Sequence, residues 1–319
     1  MIQGAARTAV ALVALGLGCW ARASRHLPIT NHAVLVTAAF SRYLMPGAAV
    51  SAIVLALPSD WILAIAACGL MASTPAPRAP LYRRPHSEST AGVKLRVFSA
   101  NLRVGQADAE LLVRSAREQA DLVAFQELTP RAAELLSAAG LDSTFPHRWL
   151  DARNGGAGVG IWSRFPMHAA ARIDGYAMPF GCARLQVPGV STDPTVVVVH
   201  VAGPWPWPID AWRRDLRRLP QTLLEVANSA GEGAVIVAGD FNSTTDMRPF
   251  RALLHNGYRD AAEQSGAGVV RTFPAGRRLP RLLAIDHVLT RGCNATSLHA
   301  VVLPGSDHRG LVATVQIPH

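Results

Sequence analysis

Val235-Ile236-Val237-Ala238-Gly239-Asp240-Phe241-Asn242 is the stretch on which the reading of this chain turns. A β-branched apolar run predicts a strand, and the glycine and polar residues after it predict a turn that ends it. The same grammar recurs on either side. Val97-Phe98-Ser99-Ala100 runs into Asn101, Leu122-Val123-Ala124-Phe125 into Gln126-Glu127, and Val196–Val199 into His200. Ala284-Ile285 precedes Asp286-His287, and Ser306-Asp307-His308 stands just before the last apolar run. Continuous runs such as Val196–Val199 suit strands covered on both faces. Strands are predicted at 94–100, 122–126, 158–163, 183–187, 195–201, 234–238, 284–289, 298–303 and 311–317. Helices are predicted at 108–119, 130–139, 209–227 and 247–255, the third on a Trp212/Leu216/Leu219/Leu223 stripe. Strands alternating with helices predict a layered α/β domain over 94–319.

Singly, each strand-end residue has a plain structural explanation. Asn101, Asp240 and Asp307 suit turns and helix caps, Glu127 a solvated strand end, and His200 a satisfied histidine. Together they make a complete set for attack of water on a phosphoester. Anionic phosphate repels hydroxide, so a divalent cation is needed, and Glu127, Asn101 and Asp307 are oxygen ligands suited to hold it. An imidazole oriented by a carboxylate can take the proton of water, and His308 with Asp286 supplies that pair. His200 and Asn242 are candidate donors to the phosphate oxygens, and Asp240 a candidate for aligning the water.

The first third of the chain has a different character. Half of the 319 residues are hydrophobic and only 17% are charged, yet the net charge is +9. Residues 1–95 carry eight basic residues against Asp60 and Glu88, a balance of +6, which leaves +3 for the remainder. The excess therefore surrounds the apolar region, where cations meet anionic headgroups, and does not form a nucleic-acid stripe. Ala5 to Ala21 is an apolar run without a clear cleavage site before Arg22 and Arg25, which favours an uncleaved anchor over a signal peptide. A weaker run, Ala33 to Phe40, leads into Met45–Leu57, and Trp61–Ala72 follows Pro58-Ser59-Asp60. Two or three membrane helices are expected: an anchor over 1–75, a linker over 76–93 rich in Pro, Ser, Thr and Arg, then the α/β domain. Cys182 and Cys293 lack metal-site spacing and read as unrelated thiols more readily than as a bridge.

Gln126-Glu127, Gly239-Asp240-Phe241-Asn242, Ile285-Asp286-His287-Val288 and Ser306-Asp307-His308-Arg309-Gly310, in that order, resemble the endonuclease/exonuclease/phosphatase superfamily, whose fold is that of deoxyribonuclease I. The resemblance covers Lys94 to the C-terminus. It implies a four-layer α/β/β/α sandwich, Mg²⁺ or Mn²⁺ at Glu127, a phosphate-contacting His200, Asp240 and Asn242 around the water and the scissile phosphate, an Asp286–His308 pair, and Asp307 as a metal or supporting carboxylate. Arg103 stands where abasic-site endonucleases of the family carry an acidic residue, Val199 where many members have Thr, and the tyrosine of the DNA-repair members has no counterpart.

The apolar helices before such a domain, with the Trp212-rich segment after Val201-Ala202-Gly203-Pro204, resemble the bacterial membrane-anchored branch that includes the teicoplanin-resistance membrane protein. That resemblance implies a lipid-linked phosphate or pyrophosphate substrate at the outer membrane face. Arg78, Arg83, Arg84 and Lys94 would by themselves hold the domain in the cytoplasm, but large domains translocate despite flanking charge, so an extracytoplasmic domain is the expectation. The expected function is a membrane-anchored, metal-dependent phosphoesterase. Its competitor is a nuclease of the same fold, which would want a basic groove; Arg213, Arg214, Arg217 and Arg218 read instead as the solvated face of a helix. A third reading, a binding protein that has lost catalysis, conflicts with the intact polar set. Trp205, Trp207 and Trp212, interleaved with Pro204, Pro206 and Pro208, suit a substrate lip, a bilayer interface or the packing of a stiff loop.

Overall fold

The computed structural model describes residues 2–57, 60–74, 79, 81–83, 91–276 and 280–319. Most of the expected linker, and the Pro58-Ser59 turn, lie outside them. In chain order the elements are α1 (Ile2–Ser24), α2 (His32–Ala56), α3 (Trp61–Ala72), β1 (Gly92–Asn101), α4 (Ala109–Gln119), β2 (Leu122–Gln126), α5 (Pro130–Ala138), α6 (Leu141–Thr144), β3 (His147–Asp151), β4 (Val159–Ser163) and β5 (Met167–Ile173). They continue with β6 (Phe180–Leu185), β7 (Thr195–His200), α7 (Asp210–Ala230), β8 (Val235–Asp240), α8 (Arg248–Arg251), β9 (Arg259–Asp260), α9 (Ala261–Ser265), β10 (Asp286–Arg291), β11 (Asn294–Val302) and β12 (Arg309–Pro318). They fall into two units: Met1–Pro80 with Thr244–Arg251, and Leu81–Ser243 with Ala252–His319.

In the first unit the two apolar runs of residues 33–57 form one helix, α2, with Pro46 inside it. Asn31 caps α2 by accepting from the Val34 amide, and Asp60 caps α3 by accepting from Leu63. Gln3–Ser24 and His32–Ala56 are long and apolar enough to cross a membrane. The 12 residues of α3 reach about 18 Å, short of a bilayer core of about 30 Å. Small residues pack inside: Ala11, Ala56 and Ala64 meet Leu63 at one level, and Ala21 and Ala49 meet Met45 and Leu70 at another. Large ones, including Val13, Leu17, Val54, Trp61, Ile62 and Ile65, face outward. Thr244–Arg251 groups here because Asp246 is buried between Arg25 (3.2 Å) and Arg42 (2.7 Å). That pairing neutralises the arginine inside the apolar α2. The helix predicted at 247–255 shrinks to the single turn of α8.

The second unit is built on two six-stranded mixed sheets. The first has the order β11-β12-β1-β2-β4-β3 and the second β5-β6-β7-β8-β10-β9. Among the described residues, only β1–β2 and β7–β8 pair in parallel, each across a helix, α4 and α7. Alternation decides which side chains meet between the sheets. Leu95, Val97, Leu122, Ala124, Leu311 and Ala313 of the first face Val196, Val198, Ile236, Ala238 and Val288 of the second. The other face of the first sheet buries Phe98, Val123, Phe125 and Trp162 against Leu112, Val113 and Ala116 of α4 and Leu136 of α5. Each such side chain contributes on the order of 1.5–3 kcal/mol when fully buried. Trp212, Leu216, Leu219 and Leu223 form the buried stripe of α7, as the sequence predicts.

Three edge strands were not predicted, β3, β5 and the two-residue β9. In β3 the side chains are only half-buried, and β5 reads His-Ala-Ala-Ala-Arg with an almost wholly exposed surface. Neither carries the apolar signal of a covered strand. Cys182 and Cys293 are unbridged thiols, and burial pushes Cys293 up to about 12.

Candidate active site

The site is the polar end of the core between the sheets. On the second sheet, β7 and β8 run parallel with His200 beside Asp240, and β10 runs antiparallel with Asp286 beside Asp240. Residues side by side in register point to the same face. His200, Asp240 and Asp286 therefore extend the inward rows Val196–Val198, Ile236–Ala238 and Val288 by one step each, and all three are buried. Gly239 is required within this row. It has φ +154, and a Cβ there would lie 1.9 Å from the Val199 carbonyl oxygen.

On the first sheet Asn101 ends β1 opposite Gln126, and Glu127 follows in a left-handed conformation, φ +56. The Asn101 carboxamide ties the sheets together, its Nδ2 donating to Glu127 Oε1 (3.0 Å) and Asp240 Oδ2 (3.1 Å). Its Oδ1 accepts from the Arg103 amide, and Glu127 Oε2 accepts from Val104 (2.6 Å). Ser306 fastens the last segment by donating to the Asn101 carbonyl and accepting from the His308 amide.

Two imidazoles converge on Asp240. His200 donates from Nδ1 to the Gly156 carbonyl (2.9 Å), which leaves Nε2 3.8 Å from both Glu127 and Asp240. His308 Nδ1 is held by Asp286 Oδ2 (2.9 Å), and its Nε2 is 3.8 Å from Asp240 Oδ2. Burial alone would lower the His308 pKa, but Asp286 and Asp240, with a smaller share from Asp307, outweigh it and hold it at about 10. Asp240 is raised as well, which for a carboxylate favours the neutral form: burial and the neighbouring Asp286 push it up to about 6 against the pull of His308 and His200. Paired groups driven apart in this manner are how one site holds an acid and a base at the same pH.

Asn242 sits at φ +47, its amide donating to Asp240 Oδ1 and its side chain to the Val201 carbonyl (2.8 Å). The structure thus brings together seven of the eight residues proposed from sequence. Asp307 stands apart, 41% exposed, with its carboxylate 4.0 Å from Arg103.

Two supports were not foreseen. Trp212 Nε1 donates to the Asn242 carbonyl and to Ser243 Oγ. His287 is buried with both ring nitrogens on acceptors, Asp260 Oδ2 at 2.7 Å and the Ser243 carbonyl at 3.0 Å. Burial would lower its pKa, but Asp260 and the Ser243 carbonyl raise it, so the ring is held as a cation that donates at both ends. Its partner Asp260 lies 27 positions away in the sequence, and no local motif joins them.

The donor set fits a divalent cation. Asp240, Asp286 and His308 offer ligand atoms within 4.8 Å of one another, and Asp286 Oδ1 is buried without a hydrogen-bond partner. Oxygen-rich sites of this kind suit hard ions such as Mg²⁺ and Mn²⁺.

A two-sheet α/β fold whose strand ends gather carboxylates and imidazoles around one buried point defines a class of hydrolase. The chain belongs to the endonuclease/exonuclease/phosphatase family, whose model matches residues 98–308. Members are hydrolases of phosphoester bonds and generally use divalent metals. No curated protein matches the sequence. Among solved structures, truncated Caenorhabditis elegans TDP2 aligns with TM-score 0.56 at 14% identity, covering 72% of this chain and 100% of its own. D. rerio TDP2 complexed with single strand DNA product aligns at 0.57 and 20% identity, covering 70% and 99%. An endonuclease/exonuclease/phosphatase from Bacteroides vulgatus aligns at 0.56 and 17% identity, also covering 70% and 99%. At these identities the likeness is one of fold.

Proposed function

We propose that the protein is a membrane-tethered, divalent-metal-dependent phosphoesterase acting on a phosphorylated, lipid-linked substrate. The observation that carries the chemistry is the buried convergence of His200, His308, Asp286 and Asn101 on Asp240. Glu127 would hold Mg²⁺ or Mn²⁺, with Asn101 fixing its carboxylate, and His308, held as a cation, would not be among the metal's ligands. A bound cation neutralises phosphate charge and acidifies its water. Asp240, poised near neutrality, aligns the attacking water and takes its proton. His308, cationic and held by Asp286, donates toward the phosphate or the leaving oxygen, and His200 Nε2 and Asn242 face the same charge. His308 is thereby cast as the acid of the pair, where the sequence suggested a base.

Membrane tethering is supported by the first unit, in which small residues pack inside and large apolar ones face out, the pattern of lipid-facing helices. A tether raises the effective concentration of a substrate in the same bilayer. The test is hydrolysis by the full chain, in detergent and in vesicles, of undecaprenyl pyrophosphate, a phosphodiester lipid, single- and double-stranded DNA and a chromogenic diester. Turnover of a lipid phosphate above DNA supports the proposal; DNA cleavage without lipid cleavage replaces it with the nuclease reading. A reporter fused after His319 reads the side of the membrane, extracytoplasmic in this proposal.

A further inference from the structure

The segment between β7 and α7, Val201-Ala202-Gly203-Pro204-Trp205-Pro206-Trp207-Pro208, has a fixed root and a projecting tip. At the root, the Val201 amide donates to the Asp240 carbonyl (2.9 Å) and the Val201 carbonyl accepts from Asn242 Nδ2. Val201, Ala202, Ile209 and Trp212 are buried on either side of the tip. The tip places two indoles outward, Trp205 67% and Trp207 69% exposed, between three prolines that limit its freedom. Trp212, the third tryptophan of the motif, is completely buried and serves the fold. The segment therefore begins one residue beyond His200, and its root, not its tip, is hydrogen-bonded to the turn that carries Asn242.

Two large aromatic side chains two-thirds exposed on a stiffened loop forgo burial that would stabilise the fold. An indole suits the headgroup layer of a bilayer, apolar across its body and polar at its N–H. Arg214 and Arg217 are exposed in the first turns of α7, the helix that follows the tip in sequence, and carry the sign that anionic lipid attracts. The chain's own helices, with large apolar residues outward, argue for lipid over nucleic acid as the occupant, as does a near-neutral α/β region without a basic excess.

We propose that Trp205 and Trp207 seat in the headgroup layer of an anionic phospholipid bilayer and thereby present the site to phosphates displayed on that surface. The inference deepens the phosphoesterase reading and rests on it for the identity of the reacting group. Its test is quenching of tryptophan emission in the full chain, reconstituted in vesicles of phosphatidylcholine and phosphatidylglycerol with or without brominated phosphatidylcholine. The emission that disappears in Trp205→Phe/Trp207→Phe should be quenched at least twofold by the brominated lipid. In Trp205→Ala/Trp207→Ala, the ratio of lipid-phosphate to soluble-diester turnover should fall at least tenfold. Absence of the quenching overturns the proposal whatever the rates do. A selective loss on single-stranded oligonucleotide without quenching would also overturn it, assigning the indoles to base stacking. If no phosphoester is hydrolysed at all, the catalytic reading fails while the quenching still decides this one.

Discussion

On the second sheet, His200, Asp240 and Asp286 stand in one row because three strands are in register, and each is sealed by the core it extends. On the first sheet, Asn101 is still the buried last residue of β1, but Glu127 is placed by a turn: Arg103, Val104 and Glu127 all have positive φ, and the Glu127 side chain keeps 19% of its exposure. Both rims follow a parallel strand–helix–strand unit, yet one is made of strand and the other of loop. The strand-built rim holds its carboxylates at fixed separation in low dielectric, which shifts Asp240 strongly and also His308, which reaches them from the turn before β12. The loop-built rim leaves Glu127 reachable from solvent, as the cation proposed there would require. The difference teaches that stability and chemistry are coupled on one side of the cleft and separable on the other.

Substitutions on the two rims should therefore fail differently. The largest effect on folding should come from behind the strand-built rim. His287→Ala leaves Asp260 buried without its cation, and loss of one partner of a buried pair costs about 3 kcal/mol, read by chemical unfolding of the full chain in detergent. The folded pKa of His287 is raised, so its contribution is present in full below the unfolded value of about 6.5 and is lost as pH rises through the raised value. The gap between wild type and variant should narrow in alkaline buffer; a gap that widened there would break the account of His287 as a buried cation.

A smaller effect of another kind is expected on the loop-built rim. Glu127→Gln should leave the unfolding midpoint close to wild type while lowering turnover by about tenfold to a hundredfold, in the range for lost metal-site contacts. Raising Mg²⁺ should recover part of that loss. If Glu127→Gln unfolded the protein as His287→Ala does, the contrast between the rims would be gone.

The same contrast explains what the sequence disclosed. The strand-built rim was legible because a strand end leaves a local trace, an apolar run and then a polar residue, as at Val196–His200 and Val235–Asp240. The register that aligns those ends is a tertiary property, and so is the role of His287, whose partner comes from the short β9. Asp307 was indistinguishable from its neighbour His308 in sequence, but the turn before β12 leaves it half-exposed beside Arg103. Thr244–Arg251 read as part of the α/β domain because nothing local announces that Asp246 will pair with two arginines more than two hundred positions away. Edge strands β3 and β5 lack the double-sided burial on which the strand reading depended.

The central claim is that Asp240, at the meeting point of the two imidazoles, is the group that handles the attacking water. The most direct test is steady-state hydrolysis of a chromogenic phosphodiester by the full chain and its Asp240→Asn variant, with Mg²⁺ and after EDTA. Asp240→Asn is nearly isosteric and keeps the row packed, but it cannot accept the proton. A loss of about 10³-fold in kcat is expected, within the range for a general base, with no rescue by excess Mg²⁺, and activity in the wild type abolished by EDTA. An Asp240→Asn protein that turns over within tenfold of wild type, or a wild type indifferent to EDTA, would contradict the account.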